Sequence, residues 1–230
     1  MSVLRSASDA WNEEYGRGRY VDEAPVAFVD DILLTAAKEG ITEGLYVGCG
    51  NGRNLLPLVD GGIDVLGLDV SDEAVHQLAQ RRPDRADRLW HGDLDSLPAG
   101  HTWPLVIGIQ VFQHGNREQA HRHVRAAQQR VEPGGLLCVR VNATGTDVWP
   151  AHEITEQHPD GGFTARYTAG PKNDLSIHFF SADELHQLFE GWLALLPIRA
   201  HSTERTPPAP GQWTQWEAIW RRPIQHPSRT

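Results

Sequence analysis

The sequence predicts an α/β protein with a doubly wound, mostly parallel sheet that closes with an antiparallel pair of strands. Up to residue 141, apolar segments typical of buried strands alternate with amphipathic or polar segments typical of helices. Such alternation produces parallel strands joined by right-handed crossovers. Two further strand-like segments near the C-terminus flank a loop that contains Pro207, Pro208 and Pro210, which indicates an antiparallel edge pair.

Length and composition indicate one ordinary globular domain. The chain has 230 residues, of which 40% are hydrophobic and 22% are charged, so it can bury a core of its own. The sequence shows no internal repeat and no linker. We therefore expect residues 1–230 to form a single domain, with an N-terminal helical cap at 1–40 and an insertion or lid at 142–180.

Charge and hydropathy disfavour two classes of partner. The formal net charge is -9 and the basic residues form no consecutive block, whereas a nucleic-acid surface needs clustered cations. No stretch approaches the length of a membrane span, and the first residues lack an apolar signal core. We expect a cytoplasmic protein that binds neither nucleic acid nor membrane, with Cys49 and Cys138 as buried free thiols.

The predicted elements follow in order from the N-terminus. A polar start leads to a helix that Asp22 caps and Gly40 ends, with apolar residues at helical spacing between them. Parallel strands are predicted at about 44–47, 63–70, 87–91, 105–112 and 136–141. Helices are predicted at 53–59, after the cap residue Ser71, and from the cap residue Asn116 to Glu132, where Pro133, Gly134 and Gly135 end the last of them.

The segment from Asn142 to Asp174 interrupts this alternation. It is rich in Gly, Pro, Thr and His and shows no clear period, which predicts an irregular lid or binding loop. Ser181 and Glu184 then form a predicted capping box for a helix that reaches Glu190. The two antiparallel strands are expected near 193–201 and 213–220.

A glycine-rich loop follows the first strand. Gly48, Gly50 and Gly52 alternate within the stretch 45–54, and alternate glycines let a backbone turn tightly beside a ligand. At the carboxyl edge of a parallel sheet, such a loop suits a nucleotide-like ligand. Arg53 stands where the dinucleotide fingerprint requires glycine or alanine, which argues against NAD or FAD.

Two carboxylates lie where they would meet an adenosyl group. Asp69 ends the second strand, about twenty residues after the glycines, and can accept hydrogen bonds from both ribose hydroxyls. Asp93 follows the third strand and can accept a hydrogen bond from the exocyclic amine of adenine. Leu94 and Val70 offer apolar faces to the adenine ring.

Together these motifs resemble those of the class I S-adenosylmethionine-dependent methyltransferase family, of the small-molecule type, over nearly the whole chain. The stretches 109–114, 132–136 and 180–189 are similar to the family's motif after strand four, its turn into strand five and its late helix. The resemblance implies a Rossmann-like, seven-stranded fold with S-adenosylmethionine as cofactor. It also implies cofactor contacts from Gly48, Gly50, Gly52, Asn54, Asp69, Val70, Asp93, Leu94, Gln110 and Tyr20.

Two positions depart from the family's pattern. The family commonly has an acid two residues before the first glycine, where this chain has Tyr46, and another entering strand four, where it has Pro104. Any help that the first acid gives to the methionine end of the cofactor must come from elsewhere or be lost. Tyr15, Arg19 and Tyr20 either close over that end or anchor the N-terminal segment.

His114 is the catalytic candidate, since the resemblance places it beside the transferring methyl group. It would deprotonate a hydroxyl or amine nucleophile, and the alternative is a hydrogen-bonded packing residue. His121 and His123, on a polar helix, are expected to be solvated. We predict no metal site, because Glu153 and His158 have no regular helix to align them with His152. The candidates for substrate contact are Tyr15, His152, Tyr167 and His178.

The resemblance implies methyl transfer to an oxygen or nitrogen of a small molecule, with release of S-adenosylhomocysteine. Sulfur or a chalcogen stays open as the acceptor, because the pattern also loosely resembles tellurite- and thiopurine-type enzymes. The main alternative is a methyltransferase-like protein that binds the cofactor in a structural or regulatory role, or that performs other chemistry such as cyclisation. The sequence makes no prediction about oligomeric state.

Overall fold

The computed structural model describes residues 7–18, 20–170 and 172–224. Its strands are β1 (Glu43–Val47), β2 (Asp64–Asp69), β3 (Leu89–His91), β4 (Trp103–Ile109), β5 (Val131–Asn142), β6 (His152–Gln157), β7 (Phe163–Tyr167), β8 (Ser176–Phe179), β9 (Leu193–Glu204) and β10 (Gln212–Arg221). Its helices are α1 (Ala7–Gly16), α2 (Phe28–Glu39), α3 (Leu55–Asp60), α4 (Asp72–Arg81), α5 (Arg117–Gln129) and α6 (Ala182–Leu188). None of the helices in these ranges is long and apolar enough to cross a membrane.

Seven of the strands form one sheet in the order β3-β2-β1-β4-β5-β10-β9. The first five run parallel, whereas β10 is antiparallel to both β5 and β9. The direction of the connections reverses between β1 and β4, which is where open α/β sheets bind their ligands. The predicted fold class, a Rossmann-like doubly wound sheet with an antiparallel C-terminal pair, is confirmed.

Helices cover both faces of this sheet. On one face, Phe28 of α2 and Leu78 of α4 belong to a buried apolar cluster. On the other face, Val124 of α5 and Leu185 of α6 belong to a second cluster. The sheet is therefore buried on both sides, as its near-continuous apolar strands predict.

The helix predicted to start at Asp22 begins later, at Phe28, and this part of the prediction is wrong. The residues before it are held extended by the glycine-loop side of the fold: Val26 N–H donates to Asn54 Oδ1 (3.0 Å) and Arg53 Nε donates to the carbonyl of Ala24 (2.7 Å). These long-range hydrogen bonds outweigh the local capping preference of Asp22. The predicted end at Gly40, which has a φ of 67°, is confirmed.

Three predicted helix caps are confirmed, whereas the helix predicted to start at Arg53 begins at Leu55. Ser71 caps α4 through its side chain. Asn116 and Ser181 form complete capping boxes with Gln119 and Glu184, at the starts of α5 and α6. These caps depend on contacts within one turn, which is why local sequence predicts them.

The end of α5 is earlier than predicted. The helix stops at Gln129 and Val131 already pairs with Trp103 of β4. Pro133 and the two glycines after it lie inside β5, where the β4–β5 register shifts. The turn that the sequence places between helix and strand is therefore an irregularity within the strand.

The segment predicted to be irregular instead forms a second sheet, with the antiparallel order β6-β7-β8. Ala165, Ile177 and Phe179 form a small apolar cluster on its covered face. Most side chains of β6 are exposed, so this strand carries no apolar alternation that sequence could reveal. Strand β8 joins this sheet to the main body through bridges from Ile177 to His114 and from Phe180 to Ala143.

Candidate functional site

The glycine loop lies at the carboxyl edge of the main sheet, directly after β1. The N–H groups of Gly48 and Cys49 donate to the carbonyl of Leu68 in β2 (2.7 and 3.0 Å). Gly48 has a φ of 70°, and a Cβ there would lie 2.6 Å from Val111 Cγ2. Glycine is therefore needed where the loops after β1 and β4 approach each other.

Asp69 is buried beneath this loop, at the end of β2. Its Oδ2 accepts a hydrogen bond from Gly50 N–H (2.7 Å) and its Oδ1 accepts one from Ser71 N–H (2.9 Å). Burial raises the pKa of Asp69, although these backbone hydrogen bonds oppose the shift. An ionised carboxylate has about four acceptor positions, so each oxygen can accept one more hydrogen bond, as binding of a ribose requires.

Helix α1 lies across the glycine loop and the end of β2. Ser8 Oγ donates to the carbonyl of Val70 (2.8 Å), and Asn12 Oδ1 accepts from Ser71 Oγ (2.6 Å). The hydroxyl of Tyr15 lies so close to the loop that a Cβ on Gly50 would overlap it. The N-terminal helix therefore covers the edge of the sheet that carries Asp69.

Two aromatic rings extend this cover. The rings of Tyr15 and Tyr20 lie 5.7 Å apart, and Tyr20 has a φ of 67°. A positive φ is uncommon for a residue other than glycine and recurs at functional sites. Tyr15 and Tyr20 thus pack together beside the glycine loop, and their contact with the cofactor stays a prediction, whereas Arg19 lies outside the described residues.

Tyr46 is part of the core rather than of the cleft. Its side chain is 1% exposed, and burial raises the pKa of its hydroxyl. The hydroxyl forms a hydrogen bond with the side chain of Asn54, whose Oδ1 also accepts from Val26 N–H. The predicted cofactor contact of Asn54 does not fit this arrangement, because Tyr46 and Val26 already occupy its side chain.

The turn after β3 differs in part from its prediction. Gly92 N–H donates to the carbonyl of Asp69 (2.8 Å), which brings the turn beside Asp69, the residue predicted to bind the ribose. Asp93 Oδ1 accepts from the N–H groups of Asp95 and Ser96 (both 3.1 Å) and caps a short 3₁₀ turn. Leu94 does not offer an apolar face to a ligand, because its side chain packs in the core.

The backbone turns sharply at Gln110, the first residue after β4. Its φ is 60°, and its N–H donates to the carbonyl of Arg140 in β5 (2.7 Å). Burial lowers the pKa of His114 to about 3, with smaller contributions from the charges of Lys172 and His123, against a hydrogen bond to the Gln110 backbone. The His114 imidazole is therefore neutral at physiological pH.

Residues around His114 that sequence reasoning missed come from α1 and the insertion. The ring of Trp11 makes an edge contact with the His114 ring at 5.3 Å. Lys172 Nζ lies 5.9 Å from the centre of the Tyr167 ring, and burial lowers the pKa of Lys172. The sequence carries one indication of Lys172, because Lys172 and Lys38 are the two lysines of the chain.

The other two substrate candidates have side-chain partners within the insertion and α6. His152 is opposite Tyr167 in the β6–β7 register, and its Nδ1 is 3.0 Å from the carbonyl of Pro150. His178 is 0% exposed, and its two ring nitrogens face Thr164 and Glu184. Direct substrate contact by His178 is therefore contradicted by its burial.

A buried ion pair supports the sheet edge beneath this site. Arg140 Nε and Glu217 Oε1 are 2.8 Å apart, with side chains 5% and 1% exposed. Two amide atoms, Gln113 Oε1 after β4 and Gln215 Nε2 in β10, are buried and have no hydrogen-bond partner among the described residues. Unpartnered buried amides are uncommon and mark places where a polar ligand or water completes the bonding.

Sequence comparison finds similarity to methyltransferases. A family profile described as "Methyltransferase domain" matches residues 45–135. Over 178 residues, the chain is 26% identical to the dTDP-3-amino-3,4,6-trideoxy-alpha-D-glucopyranose N,N-dimethyltransferase of Streptomyces venezuelae, which covers 73% of this chain and 72% of that protein.

Structural comparison shows the same fold in methyltransferases of distant sequence. The CcbJ methyltransferase from Streptomyces caelestis matches with a TM-score of 0.64 at 16% identity, over 97% of this chain and 100% of that one. The 1,6-didemethyltoxoflavin-N1-methyltransferase of Burkholderia thailandensis, solved with 1,6-didemethyltoxoflavin and S-adenosylhomocysteine, gives 0.61 at 14% identity, over 97% and 93%. Together with the motifs at the sheet edge, the profile match over residues 45–135 and the shared fold make this chain similar to class I S-adenosylmethionine-dependent methyltransferases, whose cofactor is S-adenosylmethionine.

Proposed function

We propose that this protein transfers the methyl group of S-adenosylmethionine to an oxygen or nitrogen of a small molecule. The observation that carries the proposal is the buried Asp69 carboxylate, which lies under the glycine loop with acceptor capacity on both oxygens. The cofactor would supply an electrophilic methyl group on its sulfonium. The chain's own residues hold that group and the acceptor molecule in line, and alignment alone accounts for much of such a rate.

A small acceptor is favoured by the way the site is covered. Helix α1 crosses the loop through Ser8 and Asn12, and Trp11 packs against His114. A site covered by the protein's own elements suits a molecule that can be enclosed. The cover at 1–40 and the insertion at 142–180 would then act as the two walls of the substrate pocket, within one domain. The relative from Streptomyces venezuelae is an N,N-dimethyltransferase of a nucleotide-linked amino sugar, which agrees with nitrogen as one acceptor.

His114 orients the acceptor in this proposal. One ring nitrogen donates to the backbone of Gln110, which leaves a lone pair on the other nitrogen of the neutral ring. That lone pair accepts a hydrogen bond from the O–H or N–H of the acceptor and aims its nucleophilic atom. A base with a pKa of about 3 is weak at neutral pH, so the acceptor's proton leaves to water after transfer.

Calorimetric titration with S-adenosylmethionine and S-adenosylhomocysteine tests the cofactor part of the proposal. We expect one site per chain for each ligand. Release of S-adenosylhomocysteine with a panel of small amines and alcohols then tests transfer. Failure of both ligands to bind would overturn the proposal, and binding without transfer to any acceptor would favour the structural or regulatory alternative.

Replacement of His114 by alanine is expected to lower kcat by about tenfold to a hundredfold, because the acceptor loses its orienting hydrogen bond. The affinity for S-adenosylhomocysteine should not change, since Asp69 holds the cofactor. His114 stays neutral down to a pH near 3, so the loss should be the same at pH 6 and pH 8. Steady-state kinetics at both pH values checks this.

The matched control is His101→Ala, an exposed histidine just before β4, at the opposite edge of the sheet. Its kcat should equal that of the parent protein. If His114→Ala instead removed an acid limb near pH 6.5 from the rate profile, His114 would act as a general base and the orienting role would be wrong.

A further inference from the structure

A second cluster of chemically active side chains contains none of the groups proposed above to bind the cofactor or to orient the acceptor. His121 of α5, His178 of β8 and Glu184 of α6 place one ligand atom each within 4.8 Å of one another. His178 Nε2 lies 2.9 and 3.1 Å from the two oxygens of Glu184, and His121 Nε2 also contacts Glu184 Oε1. His178 and Glu184 are both 0% exposed. The sequence predicts His121 to be solvated, and the fold instead brings it to a buried carboxylate.

The hydrogen bonds around His178 decide which of its nitrogens carries a proton. Burial raises the pKa of Glu156, but hydrogen bonds from Arg117 N–H and the Thr164 hydroxyl outweigh this and lower it, so Glu156 is ionised. The Thr164 hydroxyl therefore donates its proton to Glu156 Oε2 (2.8 Å). It can then only accept from His178, so the Nδ1 of His178, 3.1 Å away, carries a proton.

This assignment leaves the other nitrogen of His178 facing an anion. In the neutral ring, the Nε2 lone pair points at the two Glu184 oxygens, and two such acceptors repel each other. A cation or an added proton must lie between them. His121 Nε2 contacts the same carboxylate oxygen, so an ion held there would also lie within reach of His121.

The charge around the cluster suits a divalent cation. Glu156, Asp160 and Glu184 contribute three negative charges, and Arg117 contributes one positive charge through contacts with Asp160 and Glu184. One divalent ion would balance the remaining negative charge and would use the lone pairs of both histidines.

We propose that His121 Nε2, His178 Nε2 and Glu184 Oε1 bind a divalent transition-metal ion of the zinc type. Two imidazoles and one carboxylate are ligands that zinc prefers, whereas calcium and magnesium prefer oxygen ligands throughout. The Thr164–Glu156 pair orients His178 from behind, as outer partners of metal ligands do. The centre of the His158 ring lies 6.1 Å from the centre of the His178 ring. His158 Nε2 is buried and has no hydrogen-bond partner among the described residues.

The metal would be structural for the main site. His178 N–H donates to the carbonyl of Gln113 (2.8 Å), and Gly115 N–H donates to the carbonyl of Ser176 (2.8 Å). Strand β8 therefore holds both sides of His114. An ion that ties β8 to α5 and α6 would stabilise the backbone that presents His114.

Zinc binding by the purified chain, without any histidine tag, tests the proposal. After equilibrium dialysis against zinc and removal of loose metal, we expect about one zinc ion per chain by elemental analysis. With cobalt instead, the visible absorption of a tetrahedral ion should appear. Zinc should also raise the Tm, and His121→Ala and His178→Gln should each abolish the stoichiometric binding and the Tm shift.

Two further variants make the result decisive. His186→Ala, an exposed histidine on the same helix as Glu184, should bind zinc as the parent does. Thr164→Val should weaken binding by about tenfold to a hundredfold, because it removes an outer partner. If His178→Gln does not fold, His121→Ala decides alone, since His121 is partly exposed. Absence of bound zinc in the parent, or unchanged binding by His121→Ala, would overturn the proposal whatever the outcome for methyl transfer.

Discussion

Replacement of Asp69 by alanine is expected to weaken binding of S-adenosylmethionine and S-adenosylhomocysteine by about a hundredfold or more. Hydrogen bonds to a charged group contribute about 1.5–3 kcal/mol each, and the ribose has two hydroxyls to lose. The variant also leaves Gly50 N–H and Ser71 N–H without the acceptor that now positions the loop. Isothermal titration calorimetry with S-adenosylhomocysteine measures the change.

The control for this prediction is Asp72→Ala. Asp72 is an exposed acid in the first turn of α4, three residues after Asp69, so its removal changes the net charge equally without touching the loop. Its affinity should match that of the parent, and circular dichroism should show that both variants fold. Parental affinity in Asp69→Ala would show that the ribose binds elsewhere.

Replacement of Arg140 by leucine is expected to lower the free energy of unfolding by about 3 kcal/mol or more. Removal of one partner from a buried ion pair leaves an uncompensated charge, which costs about 3–5 kcal/mol. Arg199, whose Nη2 lies 2.9 Å from Glu217 Oε2, keeps part of the compensation, so the lower end of that range is expected. Urea unfolding followed by circular dichroism measures the difference.

The double variant Arg140→Leu/Glu217→Leu separates charge from packing. Because it removes both buried charges, it should recover most of the stability lost in the single variant. Arg199→Ala is the matched control, since this side chain is 42% exposed and its ion pairs should contribute about 1 kcal/mol or less. A double variant no more stable than Arg140→Leu would mean that shape rather than charge determines the cost.

Local sequence patterns were sufficient to predict those structures that depend on residues close together in the chain. The caps at Ser71, Asn116 and Ser181 satisfy N–H groups one turn away, and the glycine loop requires positive φ angles at fixed spacing. The order of strands and helices then leaves few topologies for the sheet. The position of Asp69 could be predicted from this order, because the carboxyl end of a parallel strand lies at a known edge of the sheet.

Long-range contacts account for what the sequence did not predict. Asp22 is a good cap by type, yet Asn54 and Arg53 hold the residues after it in an extended form. Strand β6 has few buried side chains, so its pairing with β7 leaves no periodic signal in the sequence. In each case, the contact that determines the local structure comes from residues distant in the sequence or from backbone hydrogen bonds.

The sequence by itself determined the fold class and placed the glycine loop and Asp69 at one edge of the sheet, because strand order, turn glycines and strand-end acids are local or topological properties. Only the tertiary structure determined what surrounds each candidate side chain. It placed Tyr46 in the core with Asn54, surrounded His114 with Trp11 and Lys172, and buried the His178 side chain against Glu184. Burial and charge depend on what folds against a side chain, and the chain brings those partners from distant positions.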